Sequence, residues 1–340
     1  MLSHNLPQPP IHKGEIVTEP QLDQAVYDLV RHALKLGMIP IAGIMSRRVG
    51  NDRHQILGFG YNRLREGIPG IHGETGAVMN MGRLSGGYRD VVATSSLNPC
   101  PFCQCCLALH MGIRQIRILD AVNYRPDFGG YAKVGLTPVV SNHAGIIRTF
   151  GKWVRDPKNA TIWDRDIGVW KRRHPPPFDL RGPRGRSRVR DLLALAHRKA
   201  IEGLDAGEAP IGAVILDSAG EVIGCGHPRI ATDNDPSAVA AMVAWRACGG
   251  RDHWKDKTLL LTCGPDHIAY SMFHVFGFAQ LVVASDRVFS GQIAAVRKLG
   301  VAVQVMRDVR CDRILREWMR STGRKRADEY FGSRFVARLQ

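Results

Sequence analysis

The chain has 340 residues, 44% of them hydrophobic and 23% charged, and it carries a formal net charge of +16. This is the composition of a globular protein long enough for two domains, and no apolar run is long enough to predict a transmembrane helix. The first residues, MLSHNLPQPPIHKGE, lack the apolar stretch of a signal peptide. We therefore expect a cytoplasmic protein whose eight cysteines are thiols or metal ligands rather than disulfides.

The positive charge is concentrated in two places. Lysines and arginines crowd residues 171–190, and further arginines lie between Arg307 and Arg326. A solvated linker and tail have this composition, and so do surfaces that bind nucleic acid. The pattern favours the linker and tail, with nucleic-acid contact kept as an alternative.

The first half alternates between helical and strand-like spacing of its apolar residues. Strands that alternate with helices predict an α/β layer fold with a mainly parallel sheet. The spacing predicts helices over 21–36, 72–83, 99–111, 128–134, 143–153 and 159–170, and strands over 40–46, 55–60, 91–95, 115–120 and 137–141.

The same order of elements returns in the second half. It indicates an internal repeat of about 150 residues and hence a tandem duplication. The predicted helices are 192–204, 235–247, 265–277, 291–299 and 312–320, and the predicted strands are 210–216, 221–226, 258–262, 279–284 and 301–306. We expect a catalytic domain over 1–170, a basic Pro/Gly-rich linker over 171–190, a second domain over 191–322 and a charged tail over 323–340.

Metal-ligand residues stand in two short segments of the first half. His72 is followed two residues later by Glu74, and Cys100 and Cys103 belong to the segment PCPFC. One imidazole and two thiols make three ligands for a tetrahedral zinc ion that leaves its fourth position to water. The two prolines suit the first turn of a helix, whose positive end favours thiolates.

The residues beside these ligands suit hydrolysis. Zinc lowers the pKa of bound water to about 7, and Glu74 could take the proton of that water and pass it to a substrate. Cys105 and Cys106 are interpreted as small packing residues. The ordered pattern of H-x-E followed by P-C-x-x-C resembles the zinc-dependent base deaminases.

A closer resemblance extends around this pattern. The segments GYNRLREGIPGIHGE, MGRLSGGYRD, LNPCPFC and MGIRQIRILDAVNY resemble the fungal-type cytosine deaminases, as does ATIWDRDIG at 160–168, in the helix that forms a lid in that family. The resemblance covers residues 20–170. It implies tandem cytidine-deaminase-like domains of three α/β/α layers, each with a mainly parallel or mixed five-stranded sheet.

The resemblance also implies a set of substrate contacts. Asn62, with the backbone N–H of Gly73, would bind the exocyclic oxygen of a pyrimidine, and Asp166 would accept from its amino group. Two residues depart from the family: Asn98 replaces a serine, and Tyr124 replaces a phenylalanine. The full expected set is Asn62, Gly73, Asn98, Tyr124, Trp163, Asp166 and Ile167, with the two aromatic rings boxing the base and Ile167 completing the lid.

The second repeat lacks these chemical groups. Alignment of the repeats puts Val239 at the histidine ligand, Ala241 at the glutamate, and Asp266 and Ala269 at the two thiols, with Pro228 in place of the asparagine. These residues build no zinc site. We therefore predict a degenerate pseudoenzyme domain that packs on the first domain as an intramolecular pseudo-dimer.

The combined expectation is a zinc-dependent hydrolase that converts cytosine to uracil and ammonia. One alternative is a deaminase of another small base, a nucleoside or a pyrimidine analogue. A second is a deaminase directed to nucleic acid through the linker and second domain, although a closed lid disfavours a polymer. No membrane partner is expected, and pairing of two chains stays open.

Overall fold

The computed structural model has an α/β fold with two mixed sheets flanked by helices. The predicted tandem α/β architecture is thereby confirmed. No helix within the ranges given below is long and apolar enough to cross a membrane. The structure describes residues 11–125, 127–166, 175–180, 182–249, 254–322 and 324–332.

The first half folds close to the predicted order of elements. Its helices are α1 (Glu19–Lys35), α2 (Gly73–Met81), α3 (Pro101–Gln104), α4 (Phe128–Val134), α5 (Ala144–Arg155) and α6 (Pro157–Asp166), and α3 continues as a π-helical segment, Cys105–His110. Its strands are β1 (Ile16–Thr18), β2 (Ala42–Arg48), β3 (Arg53–Tyr61), β4 (Val91–Ser95), β5 (Gln115–Ile118) and β6 (Thr137–Val140).

The first sheet has six strands in the order β1-β3-β2-β4-β5-β6, one more than predicted. Strands β4, β5 and β6 run parallel, whereas β2 is antiparallel to both β3 and β4. The additional strand is β1, which pairs antiparallel with β3 at the edge. Its three residues are too few to show the alternation by which a strand is identified in a sequence.

The second half repeats this plan without the additional edge strand. Its sheet has the order β11-β10-β9-β7-β8. The strands are β7 (Ala213–Leu216), β8 (Val222–Gly226), β9 (Thr258–Leu261), β10 (Gln280–Val283) and β11 (Ala302–Val305). The helices are α7 (Pro183–Asp205), α8 (Ala240–Ala247), α9 (His267–Phe276), α10 (Ile293–Lys298), α11 (Val309–Thr322) and α12 (Arg324–Phe331).

A shared irregularity relates the two sheets. The pairing of β2 with β3 shifts register between Met45 and Ser46, and the pairing of β7 with β8 shifts between Ile215 and Leu216. These positions correspond when β2 and β7 are aligned through their neighbours β4 and β9. A β-bulge is a specific local feature, so its recurrence supports the duplication.

Three helices show the largest departures from the predicted bounds. Helix α7 begins at Pro183, inside the stretch assigned to the linker, because the fixed φ of proline suits a first helical turn. Helix α8 begins at Ala240, later than expected. Helix α12 occupies the expected tail, where Tyr330 and Phe331 are buried and the Tyr330 hydroxyl donates to Glu208 Oε2 at 2.6 Å.

The two halves share one cluster of buried apolar residues. Helix α3 and the π-helical segment contact α9 of the second half. Phe102 meets Trp245 and Phe276 edge to face, with ring centroids 5.6 Å apart in both pairs. Since buried aromatic rings contribute much of the stability of a core, the junction is part of the folded interior rather than a polar contact between domains.

A buried histidine also joins the halves. His110 lies at the end of the π-helical segment, and its Nε2 is 3.1 Å from the carbonyl oxygen of Pro236. Its Nδ1 is buried and has no hydrogen-bond partner among the described residues. Burial lowers the pKa of His110 from 6.5 to about 4, because the charged ring would be desolvated.

This histidine predicts an acid-sensitive contribution to stability. Between pH 6.5 and pH 4 the unfolded chain binds a proton at His110 that the folded chain excludes, so folding should weaken by about 1.4 kcal/mol for each pH unit lost. His110→Gln keeps a donor for Pro236 but removes this proton. Chemical unfolding at pH 7.5 and pH 5 should therefore show a smaller loss of stability in the variant. An equal loss of stability in the wild type and in His110→Gln would show that His110 is not the source of the acid sensitivity.

Candidate active site

Two helix N-termini bring the candidate ligands together. His72 is the N-cap of α2 and Cys100 is the N-cap of α3, both with extended backbone, and Pro101 occupies the first turn of α3. The Thr75 hydroxyl accepts from the His72 backbone N–H at 2.8 Å and donates to the Gly70 carbonyl at 2.7 Å. The loop that carries the imidazole is therefore held by hydrogen bonds on both sides.

The ligand atoms form a compact buried group. His72 Nδ1 lies 3.4 Å from the Sγ atoms of both Cys100 and Cys103, and all three atoms lie within 4.8 Å of one another. Zinc–nitrogen and zinc–sulfur bonds at a tetrahedral angle imply a nitrogen–sulfur separation of about 3.6 Å. The three side chains thus fit a zinc ion. Over the described ranges, no second cluster of this kind occurs.

The electrostatics of the group also suit a cation. Burial opposes protonation of His72, but the neighbouring Asp166 and Cys100 raise its pKa to about 10. Burial likewise opposes ionisation of Cys100, yet a hydrogen bond from Cys103 and the charge of His72 hold its pKa well below the ordinary value. The local potential is therefore negative, which is the condition that a bound divalent ion would neutralise.

Glu74 faces the ligands from the first turn of α2. It is 3% exposed, and burial raises its pKa. Its Oε1 accepts from the Ser95 hydroxyl at 2.6 Å, and its Oε2 accepts from Cys103 Sγ at 3.3 Å. Ser95 was not predicted, although a polar residue at the end of the buried strand β4 was a usable signal.

A small cavity of about 20 Å³ lies beside this group. It brings together most of the predicted substrate residues. Asn62 and Gly73 are absent from its lining, and Ile167 lies outside the described residues. Gly73 packs against the backbone of Ala42. The lining residues are Ile41, His72, Glu74, Leu97, Asn98, Cys100, Tyr124, Trp163 and Asp166.

The two predicted polar anchors bind each other, although only Asp166 lines the cavity. Asn62 Nδ2 donates to Asp166 Oδ1 at 2.8 Å, and the same oxygen lies 3.4 Å from His72 Nε2. The remaining space holds about one water molecule and is too small for a heterocycle. Helix α6 contributes Trp163 and Asp166 to the lining.

The aromatic wall differs from a simple stack. Tyr124 and Trp163 meet edge to face with centroids 5.8 Å apart, and Phe150 packs on the other side of Trp163 at 5.2 Å. The amide of Asn98 is already engaged: it accepts from the hydroxyl of the buried Tyr131 and donates to the Arg125 carbonyl at 3.2 Å. Tyr131 was missed because nothing in the sequence connects α4 with this site.

The second half supplies the wall behind the imidazole. Phe276, the last residue of α9, lies edge-on to the His72 ring with centroids 6.3 Å apart, and Trp245 packs on Phe276 at 4.7 Å. A Cβ atom at Gly70 would come within 2.8 Å of the Trp245 ring. The loop that leads into His72 therefore rests directly on the second half. The sequence predicts that the halves pack together but does not identify these residues.

The equivalent positions of the second half hold packing and capping groups. Val239 is the N-cap of α8 and Asp266 is the N-cap of α9, just as His72 and Cys100 begin α2 and α3. Asp266 Oδ1 accepts from the Ala269 N–H at 2.8 Å, so its carboxylate serves as a helix cap. This agrees with the predicted loss of the ligand set.

A known protein shares sequence similarity with part of this chain. No protein-family model matches the chain. A cytosine deaminase of Candida albicans is 27% identical over 147 residues, which is 43% of this chain and 93% of that protein. The similarity therefore spans nearly the whole of that relative.

Solved structures show weaker similarities. One, from a study of A-to-I editing by tRNA:A34 deaminases, has 22% identity and a TM-score of 0.33, covering 36% of this chain and 97% of its own. Another, the guanine deaminase from Nitrosomonas europaea, has 17% identity and a TM-score of 0.33, covering 44% and 88%. Scores this low support no statement about substrate.

Proposed function

We propose that this chain, a member of the cytidine/cytosine deaminase superfamily, is a zinc-dependent hydrolase that deaminates a free amino-heterocycle, with cytosine as the expected substrate. The observation that supports this most is the buried group of His72, Cys100 and Cys103 with Glu74 against it. The overall reaction consumes cytosine and water and yields uracil and ammonia.

His72, Cys100 and Cys103 would hold the zinc ion. When bound, zinc would supply a water molecule that ionises near neutral pH. Glu74 would accept one proton from water and deliver it to a ring nitrogen. It would then carry the second proton, from the oxygen added to the ring carbon, to the departing ammonia. The Ser95 hydroxyl fixes one carboxylate oxygen, which leaves the other directed at the ligand thiol and free to exchange protons.

The polar anchors would exchange partners when the substrate enters. Outward movement of α6 would separate Asp166 from Asn62. The Asn62 amide would then donate to the exocyclic oxygen of the base, and Asp166 would accept from its amino group. Tyr124 and Trp163 would cover the ring once α6 closes again.

The second half would act as a pseudoenzyme that supports the first. Its α9 contacts the helix that carries both thiols, and Phe276 and Trp245 close the back of the site. We infer an intramolecular pseudo-dimer in which the degenerate repeat takes the place of a second subunit. The sequence and structure leave the pairing of whole chains open.

Ammonia release from a panel of compounds tests the substrate class. We expect turnover of cytosine and much slower turnover of guanine, cytidine and a cytosine-containing single-stranded oligonucleotide. The cavity must widen even for a single pyrimidine ring, so larger bases, nucleosides and polymers would fit less well. If guanine or cytidine is turned over faster than cytosine, that compound would be assigned as the substrate instead. Turnover of the oligonucleotide alone would contradict it in favour of a nucleic-acid deaminase.

A further inference from the structure

A cavity of about 440 Å³ lies between the two halves and is separate in its lining from the candidate active site. The first half contributes the loop 83–89, which follows α2, and residues 110–112 and Arg114 at the end of the π-helical segment. The second half contributes Ile230, Pro236 and the acidic end of α12. Its volume lies in the range of small-molecule sites.

Positive charge dominates one wall of this cavity. Arg89 and Arg114 line it and form no ion pair with a carboxylate within the described ranges, while Arg83 pairs with Glu329 at 2.8 Å across the junction. Arg114 has only a 3.4 Å contact with the Gly135 carbonyl. Guanidinium groups bind phosphate oxygens in a bidentate manner, so two of them without carboxylate partners favour a phosphate.

The rest of the lining suits a larger ligand than phosphate alone. Leu84, Met111 and Ile230 present apolar surface, and Tyr88 adds an aromatic ring. Asp328 and Glu329 place carboxylates that can accept hydrogen bonds from sugar hydroxyls. A phosphate, a sugar and a flat ring together match these three kinds of surface.

We propose that this cavity binds a nucleoside monophosphate, with its phosphate on Arg89 and Arg114. The site is built from both halves, so the ligand would bind across the junction. Its position gives it a route to the candidate active site. Cys100 and Cys103 lie at the beginning of the α3–π-helical unit, whose last residue, His110, lines the cavity. His72 and Glu74 lie at the beginning of α2, which leads into the cavity loop 83–89.

The ligand would therefore modulate turnover, an inference that rests on the proposed deaminase function. The π-helical segment between Cys103 and the cavity is a rare variant of the helix that often occurs at functional sites. Binding that favours one position of either helix would shift the site at its other end. The binding itself does not depend on which reaction the chain catalyses.

Isothermal titration calorimetry on the full chain tests the site. Uridine 5′-monophosphate and guanosine 5′-monophosphate are the probes, and uridine, guanosine and inorganic phosphate are the comparisons. We expect one nucleotide per chain, bound at least tenfold more tightly than its nucleoside or than phosphate. Absence of binding by both nucleotides, or binding of phosphate with equal affinity, would overturn the proposal.

A charge-matched pair of variants locates the site. Arg89→Gln/Arg114→Gln should weaken nucleotide binding at least tenfold, whereas Arg297→Gln/Arg320→Gln, on exposed helical surface, should leave it unchanged. Equal affinity in both double variants would place the nucleotide elsewhere and overturn the proposal.

Saturating nucleotide should change the rate of ammonia release in the wild type but not in the Arg89/Arg114 variant. If the chain binds the nucleotide but deaminates no substrate, the nucleotide site stands and the proposed deaminase function is refuted.

Discussion

Replacement of Glu74 with glutamine should lower ammonia release from cytosine by about 10²–10⁴-fold while the protein retains its zinc. Glutamine preserves the hydrogen bond from Ser95 and the shape of the side chain, but it cannot carry a proton between water and substrate. The loss should therefore appear in kcat, and metal analysis of the same sample should give the wild-type zinc content.

The matched control is Glu202→Gln. Glu202 is an exposed glutamate that pairs with Lys199 on the surface of α7, far from the ligands in the fold. This variant should turn over cytosine at the wild-type rate. A normal rate in Glu74→Gln would refute the proposed proton transfer, and a loss of zinc in that variant would assign Glu74 a role in holding the metal instead.

Truncation of Phe276 to alanine should damage the zinc site from the other half of the chain. The ring packs on His72 and Phe102 and is 5% exposed, so its removal should cost about 3–5 kcal/mol of folding free energy. Because the imidazole then loses its outer support, we also expect a chelator to remove zinc faster than from the wild type. Unfolding by urea and the rate of zinc transfer to a chromogenic chelator measure the two effects.

The control variant Phe278→Ala distinguishes loss of support for the zinc ligands from loss of folding stability in general. Phe278 is equally buried in the same half, where it stacks on Trp254 at 5.5 Å, and it has no ring contact with His72. We expect a similar loss of stability but a wild-type rate of zinc release below the unfolding range. Equal zinc release from both variants would show that the second half stabilises the chain without supporting the metal ligands.

Much of the fold could be predicted because its elements show regular hydrophobic spacing. Strand β4 and helix α4 lie where the sequence puts them. The short strand β1 and helix α12 were missed for physical reasons: β1 has too few residues to alternate, and the basic charge of α12 conceals the two aromatic residues that anchor it. The ordered π-helical geometry after α3 has no signature in the sequence.

The candidate site likewise contains some residues that the sequence predicts and others that it does not. The ligand set was readable because His72, Cys100 and Cys103 occupy helix beginnings with characteristic flanking residues. Ser95 and Tyr131, which hold Glu74 and Asn98, approach from other elements, and Phe276 comes from the other repeat. Contacts between residues so distant in the chain depend on tertiary packing, which local sequence patterns do not encode.

The degenerate repeat keeps the features that its fold requires. Val239 and Asp266 still begin their helices, and Phe331 of α12 packs on Phe289 with centroids 4.3 Å apart. The frame is therefore maintained by caps and packing after its ligands are lost. This is the behaviour expected of a domain whose contribution is a surface rather than a reaction.

The number of zinc ions bound per chain tests the central claim most directly. The chain carries the same α/β frame twice, and its described residues contain one complete ligand set. Metal analysis of the purified protein, alongside His72→Ala and the control Cys106→Ala, gives this number. We predict one zinc per chain in the wild type and in Cys106→Ala, and none in His72→Ala. Two zinc ions per chain, or one that persists in His72→Ala, would contradict the account.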